Sequence, residues 1–90
     1  MAKRSRIDII EDMLQLMNKG KGVKKTHLMY KSNLSHQQLK SYLEELVDKD
    51  FVAKTQNKNC EYIIITPNGR KFLEKIREMK EFENAFGLKN

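Results

Sequence analysis

The sequence predicts a mainly α-helical fold with one small β-hairpin (α+β), in the order helix, helix, helix, hairpin, helix. First, apolar residues recur at the 3.6-residue helical spacing within residues 5–18 and 35–49, and a shorter helix is predicted over residues 24–31. Second, two short segments rich in β-branched and aromatic residues, 51–55 and 61–66, flank a polar turn. Third, a long amphipathic pattern follows the second of these segments and predicts one more helix.

Length and composition limit the organisation of the chain. Ninety residues are expected to form one domain, with three helices and the hairpin in residues 1–66 and the last helix in residues 67–90. The single cysteine, Cys60, cannot form an internal disulfide bond, which favours a reducing, intracellular setting. No apolar segment is long enough to span a bilayer, so we expect a cytoplasmic protein without a membrane partner.

Capping residues indicate where the first three helices begin and end. Ser5, followed three residues later by Asp8, resembles a capping box and predicts the start of the first helix. Two glycines within residues 18–22 predict its end and a flexible link. Asn33 is suited to end the second helix, and Ser35 is suited to cap the third. The inward stripe of the third helix is expected to be Leu39, Leu43 and Leu46.

The last helix carries an apolar stripe longer than the core requires. Thr66 is predicted to cap it, with Pro67 in the first helical position, and the helix is expected to run to about Ala85, before Gly87. Its first part can pack on the first helix. Exposed phenylalanines are costly on a monomer, so a second copy of the chain is expected to cover the outer part. The predicted dimer interface is Phe72, Ile76, Met79, Phe82 and Phe86.

The positive charge of the chain is concentrated in its first half. The net charge is +6: residues 1–43 contain nine Lys and Arg against three acids, whereas residues 44–90 contain nine of each. This distribution favours a polyanionic partner for the first half. An ordinary lysine-rich solvated surface is the alternative interpretation.

A short helix, a turn, a longer helix and a hairpin together form the plan of a winged helix-turn-helix, whose recognition helix enters the major groove of DNA. The outward face of the third helix is free of acids in its first two turns, but Glu44, Glu45 and Asp48 follow. Only the first two turns are therefore expected to approach phosphate; a solvated face is the alternative. The predicted contacts there are Ser35, His36, Gln37, Gln38, Lys40 and Ser41.

Contacts to the DNA backbone are expected from the segments on either side of the recognition helix. Lysine is a flexible point charge, so the lysines are predicted to bind phosphate rather than read bases. Thr26 either joins them or simply caps the second helix. The hairpin, as the wing, is predicted to reach the adjacent minor groove or backbone, with an ordinary polar turn as the alternative. The predicted contacts are Lys24, Lys25, Thr26, Lys31, Lys54, Asn57 and Lys58.

Four separated segments, 4–10, 25–31, 34–43 and 65–73, resemble a family of small archaeal winged-helix DNA-binding proteins. The run K-T-H-L-M-Y-K before the recognition helix and the run T-P-N-G-R-K-F-L at the start of the last helix carry most of the likeness. Members include transcriptional regulators and abundant chromatin-like proteins that dimerise through the C-terminal helix. The resemblance therefore implies binding of double-stranded DNA as a homodimer, although Gly87 makes this C-terminal helix look shorter than the family pattern.

The sequence lacks the usual patterns of catalytic and metal-binding residues. His27 and His36 have no second cysteine or patterned acid to complete a metal set. Cys60 has no identifiable base, and the segment 20–22 lacks the spacing of a phosphate-binding loop. We therefore expect no enzymatic activity, no cofactor, no metal and no identifiable small-molecule ligand.

Three functions remain open at this level. The first is a homodimeric transcriptional regulator, which the uncharged polar start of the third helix favours. The second is an architectural, nucleoid-associated chromatin protein that binds DNA with little sequence preference, which the small size and lysine excess allow. The third is a winged-helix protein–protein interaction module, for which the acidic end of the third helix is the best support.

Overall fold

The computed structural model describes residues 5–20 and 22–87 and confirms the predicted α+β order. Arg4 and Lys21, which belong to segments discussed above, lie outside the described residues. The elements are α1 (Arg6–Asn18), α2 (Lys25–Ser32), α3 (His36–Asp48), β1 (Val52–Asn57), β2 (Cys60–Ile65) and α4 (Pro67–Ala85).

A capping box and a left-handed residue explain where α1 begins and where α2 ends. The hydroxyl of Ser5 accepts from the Asp8 N–H at 3.1 Å, and the Asp8 carboxylate accepts from the Ser5 N–H at 3.0 Å. This reciprocal pair is the predicted capping box. Asn33 ends α2 in the left-handed conformation with φ of 55°, a geometry that asparagine tolerates better than most residues.

One apolar core joins the three N-terminal helices, the hairpin and the start of α4. The predicted inward stripe of α3 is confirmed, because Leu39, Leu43 and Leu46 are all buried. Each such side chain contributes about 1.5–3 kcal/mol when it is fully removed from water. The buried apolar residues are Ile10, Met13, Leu14, Met17, Leu28, Leu34, Leu39, Leu43, Leu46, Val52, Ile63, Ile65, Leu73 and Ile76.

The hairpin is longer than the sequence predicts and has a two-residue turn. Strands β1 and β2 are antiparallel, and the last pair is Asn57 opposite Cys60. Lys58 and Asn59 between them have φ of 51° and 66°, as a type I′ turn requires, and this turn matches the natural twist of a hairpin. Asn57 therefore belongs to β1 rather than to the turn. Val23 adds a backbone bridge to Ile63, which ties the link after α1 to the hairpin.

The start of α4 is held close to the turn between α3 and β1. The Thr66 hydroxyl accepts from the Gly69 N–H at 3.0 Å and donates to the Asp50 carbonyl at 2.6 Å. A Cβ at Gly69 would lie 2.1 Å from the Phe51 carbonyl oxygen, so only glycine allows this approach. The ring of Phe51 stacks on that of Phe72 with centroids 4.4 Å apart.

The outer half of α4 leaves the core, and this observation corrects part of the predicted dimer interface. Ile76 is 3% exposed within its own chain, so it is not available to a partner. Phe72 is half-buried, and its ring already packs on Phe51 of the same chain. The exposed part of the stripe is Met79, Phe82 and Phe86, at 46%, 56% and 68% exposure.

Candidate nucleic-acid interface

The turn between α2 and α3 positions the first residues of α3 at the surface. The Leu34 N–H donates to the Met29 carbonyl at 3.1 Å, and the Leu34 side chain is buried in the core. This anchor fixes the angle between the two helices just before α3 begins. The predicted contact residues on α3 are all exposed: His36, Gln37, Gln38, Lys40 and Ser41.

Two of the predicted contact residues, Ser35 and Gln38, cap the N-terminal end of α3 instead. The Ser35 hydroxyl accepts from the Gln38 N–H at 3.1 Å, and the Gln38 side-chain carbonyl accepts from the Ser35 N–H at 3.0 Å. This second capping box restrains the Gln38 side chain along the helix start. Within the described part of the chain, Gln37, Lys40 and Ser41 have no such hydrogen bonds. These three side chains keep their polar groups available for a ligand.

The acidic end of α3 is partly neutralised by α1. Arg6 forms an ion pair with Glu45 and lies over the ring of Tyr42, with its guanidinium carbon 5.4 Å from the ring centroid. Glu44 and Asp48 stay exposed, so the later turns of α3 still present negative charge. The contrast between the first and last turns predicted from the sequence is therefore retained. The role of Arg6 was missed, because only the tertiary structure brings residues this far apart together.

Lys24 and Lys25 lie at the start of α2, and Lys31 lies in its last turn. Lys24 occupies the N-cap position without a side-chain hydrogen bond, and Thr26 lies inside the helix. The interpretation of Thr26 as the cap of α2 is therefore wrong. Lys25 lies 3.6 Å from Glu61 in a pair that is roughly half exposed on both sides. Lys24 and Lys31 are exposed at the surface.

Three predicted lysines, one from each of three elements, meet at a single recess. Lys25 of α2, Lys40 of α3 and Lys54 of β1 border a cavity of about 410 Å³, which we call the basic recess. Thr26 and His36 also border it. The floor is apolar and consists of Met29, Leu39 and Leu43.

The tip of the hairpin is separate from the basic recess. Lys58 is exposed in the type I′ turn. Asn57 borders a different cavity, of about 460 Å³, together with Gly22 and Tyr62. The hairpin residues predicted to contact DNA thus form two groups. Lys54 lies beside α3, and Asn57 and Lys58 lie at the tip of the hairpin.

Tyr30 lies at the surface, whereas the sequence alone did not decide between a buried and an exposed position. It is 80% exposed on α2, which excludes a position in the core. The sequence shows only that Tyr30 follows two other apolar residues, Leu28 and Met29. On a helix this short, that signal is too weak to separate an inward from an outward face.

The fold and the exposed start of α3 define a winged helix-turn-helix. The sequence model of the winged helix-turn-helix family matches residues 3–84, and the chain belongs to this family. An uncharacterized protein of Methanocaldococcus jannaschii, MJ0290, is 38% identical over 77 residues, covering 86% of this chain and 34% of the relative. The chain therefore spans about a third of the length of that archaeal relative.

Solved structures of two Sulfolobus solfataricus proteins share the fold. The DNA-binding protein Sso10a-2 superposes with a TM-score of 0.75 at 21% identity, covering 94% of this chain and 88% of that one. The transcriptional regulator BldR superposes with a TM-score of 0.75 at 16% identity, covering 87% of this chain and 58% of that one. The resemblance to archaeal winged-helix proteins is confirmed.

Two kinds of feature are absent from the described residues. No helix among them combines the length and the apolar character that crossing a membrane demands. Residues 5–20 and 22–87 also contain no group of three histidine, cysteine or acidic side chains arranged to hold a metal ion.

Proposed function

We propose that the chain binds double-stranded DNA as a homodimeric transcriptional regulator, with the first two turns of α3 in the major groove. The observation that carries the proposal is that Lys25, Lys40 and Lys54 border one recess, and that Gln37 and Ser41 lie exposed on the same turns of α3 as Lys40. Phosphate-binding charges thus lie next to groups able to hydrogen-bond with base edges. The DNA-binding description of Sso10a-2 and the regulator description of BldR support the same function.

Each group has a chemically distinct task in this arrangement. The Gln37 amide offers one donor and one acceptor, which match adenine in the major groove, and the Ser41 hydroxyl serves several bases. Lys25, Lys40 and Lys54 neutralise phosphates and release counterions, so they contribute affinity without sequence preference. The Ser35–Gln38 capping box keeps the start of α3 rigid, which orients Gln37.

The exposed end of α4 supports the homodimer. The rings of Phe82 and Phe86 lie 4.7 Å apart and are both more than half exposed. Met79 extends this apolar surface toward the core. A second copy that covers it through a two-fold axis would carry a second α3, and such dimers bind half-sites about 34–36 Å apart.

An architectural protein with little sequence preference is the second candidate. The observation in its favour is that most of the exposed positive groups near α3 are lysines, which bind phosphate but read bases poorly. A protein–protein module is less well supported, because Arg6 neutralises Glu45 on the acidic face that such a module would use.

Binding to random and selected duplexes across a salt series separates these candidates. Fluorescence anisotropy should give a specific-to-random affinity ratio of about 10³ or more for a regulator. Steep salt dependence without preference would favour the architectural role, and no binding at low salt would overturn both. Lys40→Gln should lower the salt slope by about 1, whereas Lys71→Gln on α4 removes the same charge and should leave the slope unchanged.

A further inference from the structure

The basic recess has both a charged and an apolar surface. A DNA backbone would contact only the charged part. Lysines occupy the rim, and three core-facing apolar side chains form the floor. The rim consists of Lys25, Lys40 and Lys54, and the floor consists of Met29, Leu39 and Leu43.

The size and rigidity of the basic recess suit a small molecule. Its volume of about 410 Å³ lies within the range of roughly 300–1,000 Å³ that is usual for ligand sites. Leu39 and Leu43 are 4% and 2% exposed and belong to the core, so this part of the floor is preformed. Met29 is half-buried, and its flexible thioether can adapt to the shape of an occupant.

The positive charges of the lysines around the basic recess favour an anionic ligand. Within residues 5–20 and 22–87, neither Lys40 nor Lys54 forms an ion pair, and Lys25 has a single pairing with Glu61 at 3.6 Å. Like charges on three lysines that border one cavity repel one another, and a bound anion relieves this repulsion. Inorganic phosphate would do so but would leave the half-buried Met29 side chain in contact with water. A neutral apolar molecule would cover the floor but leave the charges unbalanced.

We propose that the basic recess binds a small organic carboxylate with an apolar body, and that this occupant competes with DNA. The apolar body packs on Met29, above the buried Leu39 and Leu43, while the carboxylate pairs with the lysines that border the recess. The competition rests on the proposed function, because the same lysines are there assigned to phosphate. Binding of the carboxylate itself does not depend on that function.

Titration of the full chain with 2-naphthoate, followed by ¹H–¹⁵N NMR, tests the binding site. We expect saturable shifts in the amides of α2, α3 and β1. Acetate lacks the apolar body and 2-naphthylmethanol lacks the charge, so both should bind at least about tenfold more weakly. Shifts that do not saturate, shifts confined to other elements, or equal binding by the neutral alcohol would each overturn the proposal.

Charge variants supply the matched control. Replacing Lys40 and Lys54 together by glutamine should weaken naphthoate binding about tenfold, since each exposed charge contact contributes up to about fivefold in affinity. Replacing Lys71 and Lys75 on α4 removes the same net charge and should leave naphthoate binding unchanged. An equal loss in both double variants would mean that the net charge of the chain, rather than the basic recess, attracts the anion.

A DNA competition experiment keeps this proposal distinguishable from the function on which it rests. Saturating 2-naphthoate should raise the apparent Kd for a duplex at least fivefold at constant ionic strength, while acetate at the same concentration should not. Simultaneous binding of naphthoate and DNA without mutual effect would overturn the competition. A chain that binds naphthoate but no duplex would overturn the DNA function and the competition, while supporting the site itself.

Discussion

The ammonium nitrogen of Lys80 on α4 lies 2.5 Å from a carboxylate oxygen of Asp8 on α1. The same nitrogen lies 2.5 Å from a carboxylate oxygen of Glu11, so one lysine joins two acids of the neighbouring helix. Lys80 stands between Met79 and Phe82, where α4 leaves the core. The contact therefore restrains the direction in which the exposed aromatic end of α4 projects.

Lys80→Gln should make the stability of the fold less sensitive to acid. The hydrogen bond from Lys80, together with those from Ser5, lowers the pKa of Asp8 from its ordinary value of 3.8 to about 2. A carboxyl with a lower pKa in the folded chain stabilises the fold above its unfolded pKa, and this contribution is lost as the pH falls from about 4 to about 2. Because Asp8 is 37% exposed, we expect this contribution to the unfolding free energy to be about 1 kcal/mol or less.

Urea unfolding at pH 5 and pH 2 measures this contribution. The loss of unfolding free energy between the two pH values should be smaller in the Lys80→Gln variant than in the unaltered chain. Lys75→Gln is the matched control, because the partner of Lys75 among the described residues is the exposed Glu78 on the same helix. An identical pH dependence in the unaltered chain and the Lys80→Gln variant would refute the assignment.

Gly69→Ala should destabilise the fold by about 2 kcal/mol or more, because an added Cβ meets backbone rather than a movable side chain. The backbone of Phe51 and the start of α4 would have to separate. Gly20→Ala is the control, since a Cβ at Gly20 meets nothing within 4 Å. Thermal unfolding should show a lower Tm for the first variant only; an equal Tm in both would contradict this close approach.

Ser35→Ala and Gln37→Ala should separate stability from DNA binding. The Ser35 hydroxyl caps α3, so its removal should lower the unfolding free energy by about 1 kcal/mol. Gln37 is exposed, and its replacement should leave stability unchanged while reducing discrimination at one base pair by about 1–3 kcal/mol. Chemical denaturation and duplex titration measure the two effects. Loss of stability in Gln37→Ala would show that this side chain has a structural task.

Replacing Phe82 and Phe86 together by glutamine should convert the proposed homodimer into a monomer. Both rings are largely exposed on one chain, so the variant should keep its fold while losing the burial that a second copy provides. The loss should raise the dimer Kd about a hundredfold or more. Sedimentation velocity measures the mass. Tyr30→Gln removes an even more exposed aromatic ring from α2 and should remain dimeric; an unchanged mass in the double variant would refute this interface.

Local patterns predicted the elements well, because capping and helical periodicity act over a few residues. The Ser5–Asp8 box, the left-handed Asn33 and the Thr66 cap all lie where their residue types indicate. We did not predict from the sequence that the Gln38 side-chain carbonyl would accept a hydrogen bond from the Ser35 N–H. A serine followed three residues later by a glutamine is itself the pattern of a capping box, so this contact had a local signal that was overlooked.

The sequence by itself determined the order of the elements, the apolar stripes and the charge contrast along α3. These properties follow from residue type and spacing. Only the tertiary structure decided that Ile76 belongs to the core, that Arg6 neutralises Glu45, and that Lys54 joins the lysines of α2 and α3. The physical reason is that each of these depends on how helices and hairpin pack against one another. Contacts between distant segments have no signature in local spacing.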